Sequence, residues 1–182
     1  FDLSDESPVA HKLYGGTQFA KGCMLARRLV EKGVRSVEVE LGGFDWHNDN
    51  FQQAADKLPI LDQALSALLL DLKAKGLLDS TLVVLATEFG RTPKVTDDGG
   101  RNHFPQAFST ILAGGGVKGG IVYGETDATG SNVIKDKVSS ADFNATIGHA
   151  MGLKYDETIY SASKRPFKMA GSKGTAITKI FA

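Results

Sequence analysis

Twice in the first half of this chain a helical stretch stops at a glycine and passes directly into a run of strand-forming residues. That order restricts the fold more than any other feature. From Thr17 to Lys32 the apolar positions Phe19, Cys23, Leu25, Ala26, Leu29 and Val30 recur at helical spacing. Gly33 closes the run, as a glycine just past a helix C-terminus does. Val34 to Leu41 follows, where Val37, Val39 and Leu41 alternate with polar residues at the period of a strand. Gly42-Gly43 ends it. From Phe51 to Lys75 a longer helix is expected, with Leu58, Leu61, Leu65, Leu68, Leu69 and Leu72 on one stripe. Pro59 either starts this helix or kinks it, and Gly76 ends it. Leu82 to Ala86 is a continuous apolar run, typical of a strand buried on both faces. A helix feeding such a strand points to a right-handed crossover in a parallel sheet.

The remainder fits the same class. Residues 1–14, with His11, read as polar and irregular, and Gly90 to Gly100 as a loop. Phe108 to Ala113 reads as a third strand, ended by Gly114-Gly115-Gly116, and Ile121 to Gly124 as a short edge strand. Ala141 to Met151 reads as a helix with Phe143, Ile147 and Met151 on one face and Ser140 as its N-cap. Ile177 to Phe181 reads as a short strand or a docked segment. There is no internal repeat and no linker rich in Pro or Ser. The expectation is a single α/β domain over 1–182, a mostly parallel sheet flanked by helices.

Composition excludes some classes. With 21 basic and 21 acidic residues the chain has no net pull toward nucleic acid or an anionic membrane, which leaves only local basic patches. No stretch approaches the ~18 apolar residues of a membrane span. Cys23 is the sole cysteine, so it forms no internal disulfide. Within its apolar helical pattern it reads as a small buried hydrophobe. Gly114 to Gly120 is glycine-rich but matches neither phosphate-binding glycine motif, because no helix follows it. It reads as a tight turn. His149, inside the last helix, reads as a packed or capping histidine, and no G-x-S-x-G elbow is present.

Ligands of open α/β sheets bind beyond the carboxyl ends of the strands, and three polar clusters fall at or near such positions. Phe44-Asp45-Trp46-His47-Asn48-Asp49-Asn50 follows the strand 34–41. Thr87-Glu88-Phe89-Gly90-Arg91-Thr92 follows 82–86, and Gly100-Arg101-Asn102-His103-Phe104-Pro105 precedes 108–113. In an extended loop residues i and i+2 point the same way, so Asp45 and His47 can approach one cation. Carboxylate plus imidazole suits Zn²⁺, Mn²⁺ or Fe²⁺ better than Ca²⁺. The plainer alternative has Asp45 capping the next helix. Glu88, after an apolar run, is expected to be drawn inward, where a carboxylate needs a metal or a cation. The competing reading is a Glu88–Arg91 ion pair. His103 alone would be a solvated loop histidine, and Arg101 beside it could face an anionic substrate.

These clusters, in this order, resemble the DUF1501 family of bacterial proteins. The matching stretches are YGGTQFAKGCMLARRLVEKGVRSVEVELGGFDWHNDN, ATEFGRTPKV, GGRNHFPQAFSTILAGGGVKGGIVYGETDATG and the closing ITKIFA, from about Tyr14 to Ala182. The family is usually placed near the sulfatases in the alkaline phosphatase superfamily. The resemblance implies an alkaline phosphatase-like parallel sheet and a centre of one or two divalent metals, Zn or Mn with Ca as a further option. It implies hydrolysis of a small phosphate or sulfate ester. It places Asp45, His47, Glu88 and His103 as metal ligands, and Arg91 and Arg101 as cations for the substrate's oxygens. Two positions depart from the superfamily pattern: Glu88-Phe89 stands where many relatives have Asp-His, and Asn102 replaces an expected Asp. The nucleophile and another Asp ligand of that superfamily have no counterpart here, so the chain is expected to be the C-terminal portion of a longer protein. Its start at Phe1-Asp2-Leu3 reads as processed or truncated. Family members often carry a twin-arginine export signal, which implies a periplasmic or cell-surface location. The alternative reading is a catalytically degenerate hydrolase scaffold that serves as a binding or assembly module at the cell surface.

Overall fold

The computed structural model describes residues 2–171 and 173–182. In chain order their helices are α1 (Pro8–Tyr14), α2 (Gln18–Glu31), α3 (Asn50–Ala74) and α4 (Ser140–Ala150). The strands are short: β1 (Val83–Leu85), β2 (Gly90–Arg91), β3 (His103–Phe104), β4 (Ile111–Ala113), β5 (Glu125–Thr126), β6 (Val133–Lys135), β7 (Ile159–Tyr160) and β8 (Pro166–Phe167). The chain divides into two compact units, one of residues 1–81 with 89–105, the other of 82–88 with 106–182.

The first unit is built on helices. The Thr17 hydroxyl accepts from the Ala20 amide and starts α2, and Gly33 at φ +83° follows its end. α3 runs unbroken through Pro59. The buried core where α2 and α3 meet has Ala20, Cys23 and Met24 on one side and Ala64 and Ala67 on the other, closed by Tyr14 of α1. The outer leucines of the expected stripe stay partly exposed, and Leu72 alone among them is fully buried. Cys23 is buried as expected, and burial pushes its thiol up to about 11. Residues 8–14, expected to be irregular, form α1 instead. Ser7 caps it by accepting from the Ala10 amide, and Pro8 occupies the first helical position, where its missing N–H costs nothing.

A buried cation holds this unit together. Arg27 is 3% exposed and pairs with Glu6 at 2.6 Å, Asp71 at 2.7 Å and Glu31 at 2.9 Å. Tyr14 donates to the same Asp71 carboxylate at 3.0 Å. One guanidinium thus connects the segment before α1 with α2 and α3.

Residues 34–41 are extended, but among the described residues they form no strand ladder. The alternation is nevertheless expressed. Val37, Val39 and Leu41 are half-buried and their neighbours exposed. Val39 packs on the α2–α3 core, against Gly22, whose added Cβ would meet Val39 Cγ1 at 2.8 Å. The pattern therefore reports one face on a helix layer and not a place in a sheet.

In the second unit β1 pairs with β4 antiparallel, with Val84 opposite Leu112. All four strand pairs among the described residues are antiparallel and two-stranded. This mixed helix and strand architecture contains no parallel pairing of the expected kind. The run 82–86 is not buried on both faces either, since Val84 is exposed. Residues 121–124 are not a strand; the ladder begins at the next residue, Glu125, as the hairpin β5–β6. α4 starts one residue earlier than expected. Its cap is Ser139, in a reciprocal capping box with Asp142. Its buried face, Ala145, meets Ala170 and Ala176. The C-terminal segment docks through a 3-10 turn at Thr178–Ile180 and an isolated bridge from Phe181 to Val117. His149 packs edge-on against Phe181 at 5.3 Å.

Candidate metal centre

The site of interest lies wholly within the first unit, where two loops are stitched side by side. Gly43, at φ +81°, ends the extended segment and turns the chain into residues 44–49. There the period of two persists: Phe44 and Trp46 turn inward, Asp45 and His47 outward. Trp46 pins the turn. Its indole N–H donates to the Gly43 carbonyl at 2.8 Å, and its ring lies 5.0 Å from that of Phe44. The second loop, 96–103, runs alongside. The amides of Asp49, Asn50 and Arg101 donate to the carbonyls of Asp98, Gly99 and Trp46 at 3.1, 2.9 and 3.2 Å. Gly100 is the point of closest approach, and a Cβ there would sit 1.9 Å from the His47 carbonyl oxygen.

The short ladder β2–β3 then sets Arg91 directly opposite His103. Both reach Asp45. Its Oδ1 accepts from Arg91 Nη2 at 2.5 Å and lies 2.8 Å from His103 Nε2 and 3.4 Å from His47 Nδ1. The Arg91 bond, then the His103 bond, hold the Asp45 carboxyl down at about 2, although the residue is 68% exposed. The His103 ring is backed by Phe89 at 4.5 Å and faces His47 at 5.0 Å.

One donor atom from each of Asp45, His47 and His103 lies within 4.8 Å of the others, so these three side chains can hold a metal ion. The donor chemistry fits. One carboxylate and two imidazoles suit a transition metal or zinc, and three protein ligands leave a coordination position open. All three are exposed and accessible. Arg91 competes for the same carboxylate oxygen.

The expected site residues thus divide. Asp45, His47 and His103 converge. Glu88 is not in that group; it lies on an exposed bend after β1. Arg91 pairs with Asp45 and also donates to the carbonyls of Phe44 and Arg101. Arg101 is turned into the protein, with Nη1 on the Thr92 carbonyl at 3.3 Å, its guanidinium 5.9 Å from the Phe51 ring, and Nε buried without a partner. Asp45 does not cap α3; Asp49 precedes that helix in the left-handed region. Trp46, Phe89 and Gly100 support the site and went unrecognised in the sequence. Only Trp46 left a signal there, as the inward member of the alternation.

A family model described as a protein of unknown function (DUF1501) matches residues 1–181. The chain belongs to the DUF1501 family. No curated protein and no solved structure matches this DUF1501 chain.

Proposed function

We propose that this DUF1501 protein is a metal-dependent hydrolase of small phosphate or sulfate esters, with the ion on Asp45, His47 and His103. The observation that carries the reading is the convergence of those three donors from two loops. Zn²⁺ or Mn²⁺ suits the set best, and Ca²⁺ less well. A divalent ion there would supply Lewis-acid activation of an ester oxygen. Among the chain's own residues, Arg91 orients Asp45 and sets a fixed positive charge beside it, which favours the oxygens of a phosphate or sulfate. Phe89 and the β3 backbone fix the His103 ring. The reading leaves Glu88 out of the ligand set and gives Arg101 a structural role. The placement near the sulfatases in the alkaline phosphatase superfamily belongs to the same proposal, with export to the periplasm.

A second reading draws support from Arg91. Its bond to Asp45 satisfies the carboxylate without any ion, as expected of a degenerate scaffold kept for binding or assembly at the cell surface. Metal analysis after loading with Zn²⁺ or Mn²⁺ and dialysis tests the ligand set. Bound ion should disappear in the His47→Ala, His103→Ala double variant, and unchanged content would sink the assignment. A screen of phosphate and sulfate esters with the metal-loaded full-length protein separates the two readings. Turnover abolished by Asp45→Ala supports the hydrolase, and metal binding without turnover supports the scaffold.

A further inference from the structure

The β7–β8 hairpin does not resemble a solvated surface loop. Ile159 and Phe167 are cross-strand partners on one face and are 64% and 50% exposed. Tyr160, on the other face opposite Pro166, is 69% exposed. Three large apolar side chains on nine residues cost free energy in water, and clustered exposure of this kind marks an interaction surface. The turn between the strands carries Lys164 and Arg165, both exposed, with Lys168 just beyond β8. The turn itself is ordered: Ser161 N–H donates to the Arg165 carbonyl, and Lys164 N–H to the Ser161 carbonyl.

Charge sets the hairpin apart from the rest of the chain. The chain is neutral overall, yet past Asp156 and Glu157, the latter paired with Lys154, the stretch from Thr158 to Ala182 holds five cations and no acidic side chain. The hairpin is also firmly based. On its near side Tyr155 packs against the Ala145, Ala170 and Ala176 cluster. On its far side the amides of Thr175 and Ile177 donate to Asp142 and Thr146 of α4 at 2.9 and 3.0 Å.

We infer that the β7–β8 hairpin docks this protein on an anionic membrane surface, with the Ile159 and Phe167 face at the headgroup boundary and Lys164, Arg165 and Lys168 on the lipid phosphates. The cations select an acidic partner. The apolar side chains select a lipid bilayer over a nucleic acid, which offers no apolar phase to receive them. Large apolar side chains flanked by snorkelling cations are the residue types that settle at the boundary between acyl chains and water. The inference is independent of the metal centre.

Co-sedimentation of the full chain with vesicles tests it. The protein should bind vesicles containing phosphatidylglycerol, release as salt is raised, and ignore pure phosphatidylcholine. Each cation near an acidic bilayer contributes about fivefold in binding, so replacing Lys164, Arg165 and Lys168 by Gln should weaken it on the order of a hundredfold. Ile159→Ser with Phe167→Ser should also release the protein while its helical circular dichroism is unchanged. Three results would overturn the inference: no binding by the unaltered chain, equal binding to phosphatidylcholine, or salt-insensitive binding. A fourth is undiminished binding after the serine replacements, together with equal binding to an oligonucleotide, which would mark a polyanion site instead.

Discussion

Gly100→Ala should dismantle the candidate metal centre without touching a ligand. The added Cβ would lie 1.9 Å from the His47 carbonyl oxygen and 2.0 Å from its carbonyl carbon, where real Cβ contacts do not fall below 3.0 Å. Both partners are backbone, so no side chain can swing aside. The two loops must part by about 1.1 Å at this point. Three hydrogen bonds cross the seam, from Asp49, Asn50 and Arg101, at 2.9 to 3.2 Å. Such a displacement carries them past the ~3.5 Å at which a hydrogen bond ceases to count. At ~0.5–1.5 kcal/mol net for each, the loss is about 2–4 kcal/mol. The same motion separates His103 from Asp45 and His47, and metal sites tolerate only ~0.2 Å of error in ligand distance. Affinity for Zn²⁺ should therefore fall by about a hundredfold or more. Isothermal titration with Zn²⁺ and thermal denaturation read the two effects. Gly16→Ala is the control, because its Cβ would meet nothing within 4 Å. If Gly100→Ala bound Zn²⁺ within about threefold of the unaltered protein, the stitched loops would not be what assembles the site.

Two further perturbations follow from the packing. Arg27→Ala strands Glu6, Asp71 and Glu31 around an empty buried position, and should cost about 3–5 kcal/mol in urea unfolding; a loss under ~1 kcal/mol would show that the cluster is solvated and weak. The capping box of α4 should respond to acid. The Asp142 carboxyl is held below its usual range first by the Ser139 hydroxyl and then by the Thr175 amide. A depressed carboxyl stabilises the fold fully above its unfolded value of 3.8 and loses that contribution as pH falls through the lower, folded value. Amide exchange protection in α4 should therefore hold at pH 5 and drop below about pH 4. Asp142→Asn should remove that pH dependence, and an unchanged profile would place the acid-sensitive contact elsewhere.

What was legible in the sequence was local. The boundaries of α2 and α3 followed from apolar spacing and from Thr17, Gly33 and Gly76, because cap and stripe are set by neighbours three and four residues away. The side-by-side placement of Asp45 and His47 followed from the period of two. α1 was present in the sequence too, in Ser7-Pro8, but a seven-residue helix leaves too short a stripe to recognise.

Partnership was the part that only tertiary structure decided. The run 82–86 has the composition of a strand sheltered on both sides, yet what covers a strand depends on which edges meet, and β1 met β4 antiparallel. Glu88, three residues past β1, lies in solvent rather than drawn inward. Arg27 looked like any helical arginine, paired with Glu31 one turn on, until carboxylates from two distant segments, Glu6 and Asp71, closed around it. The candidate metal centre shows the division most plainly. Asp45 and His47 are two residues apart, and alternation alone aligned them. His103 is 58 positions from Asp45, and Arg91 is 46. A glycine with no room for a Cβ, three backbone bonds across a seam and a two-residue ladder brought them together. No periodicity encodes a contact of that span, because its free energy comes from packing that exists only once the chain has folded.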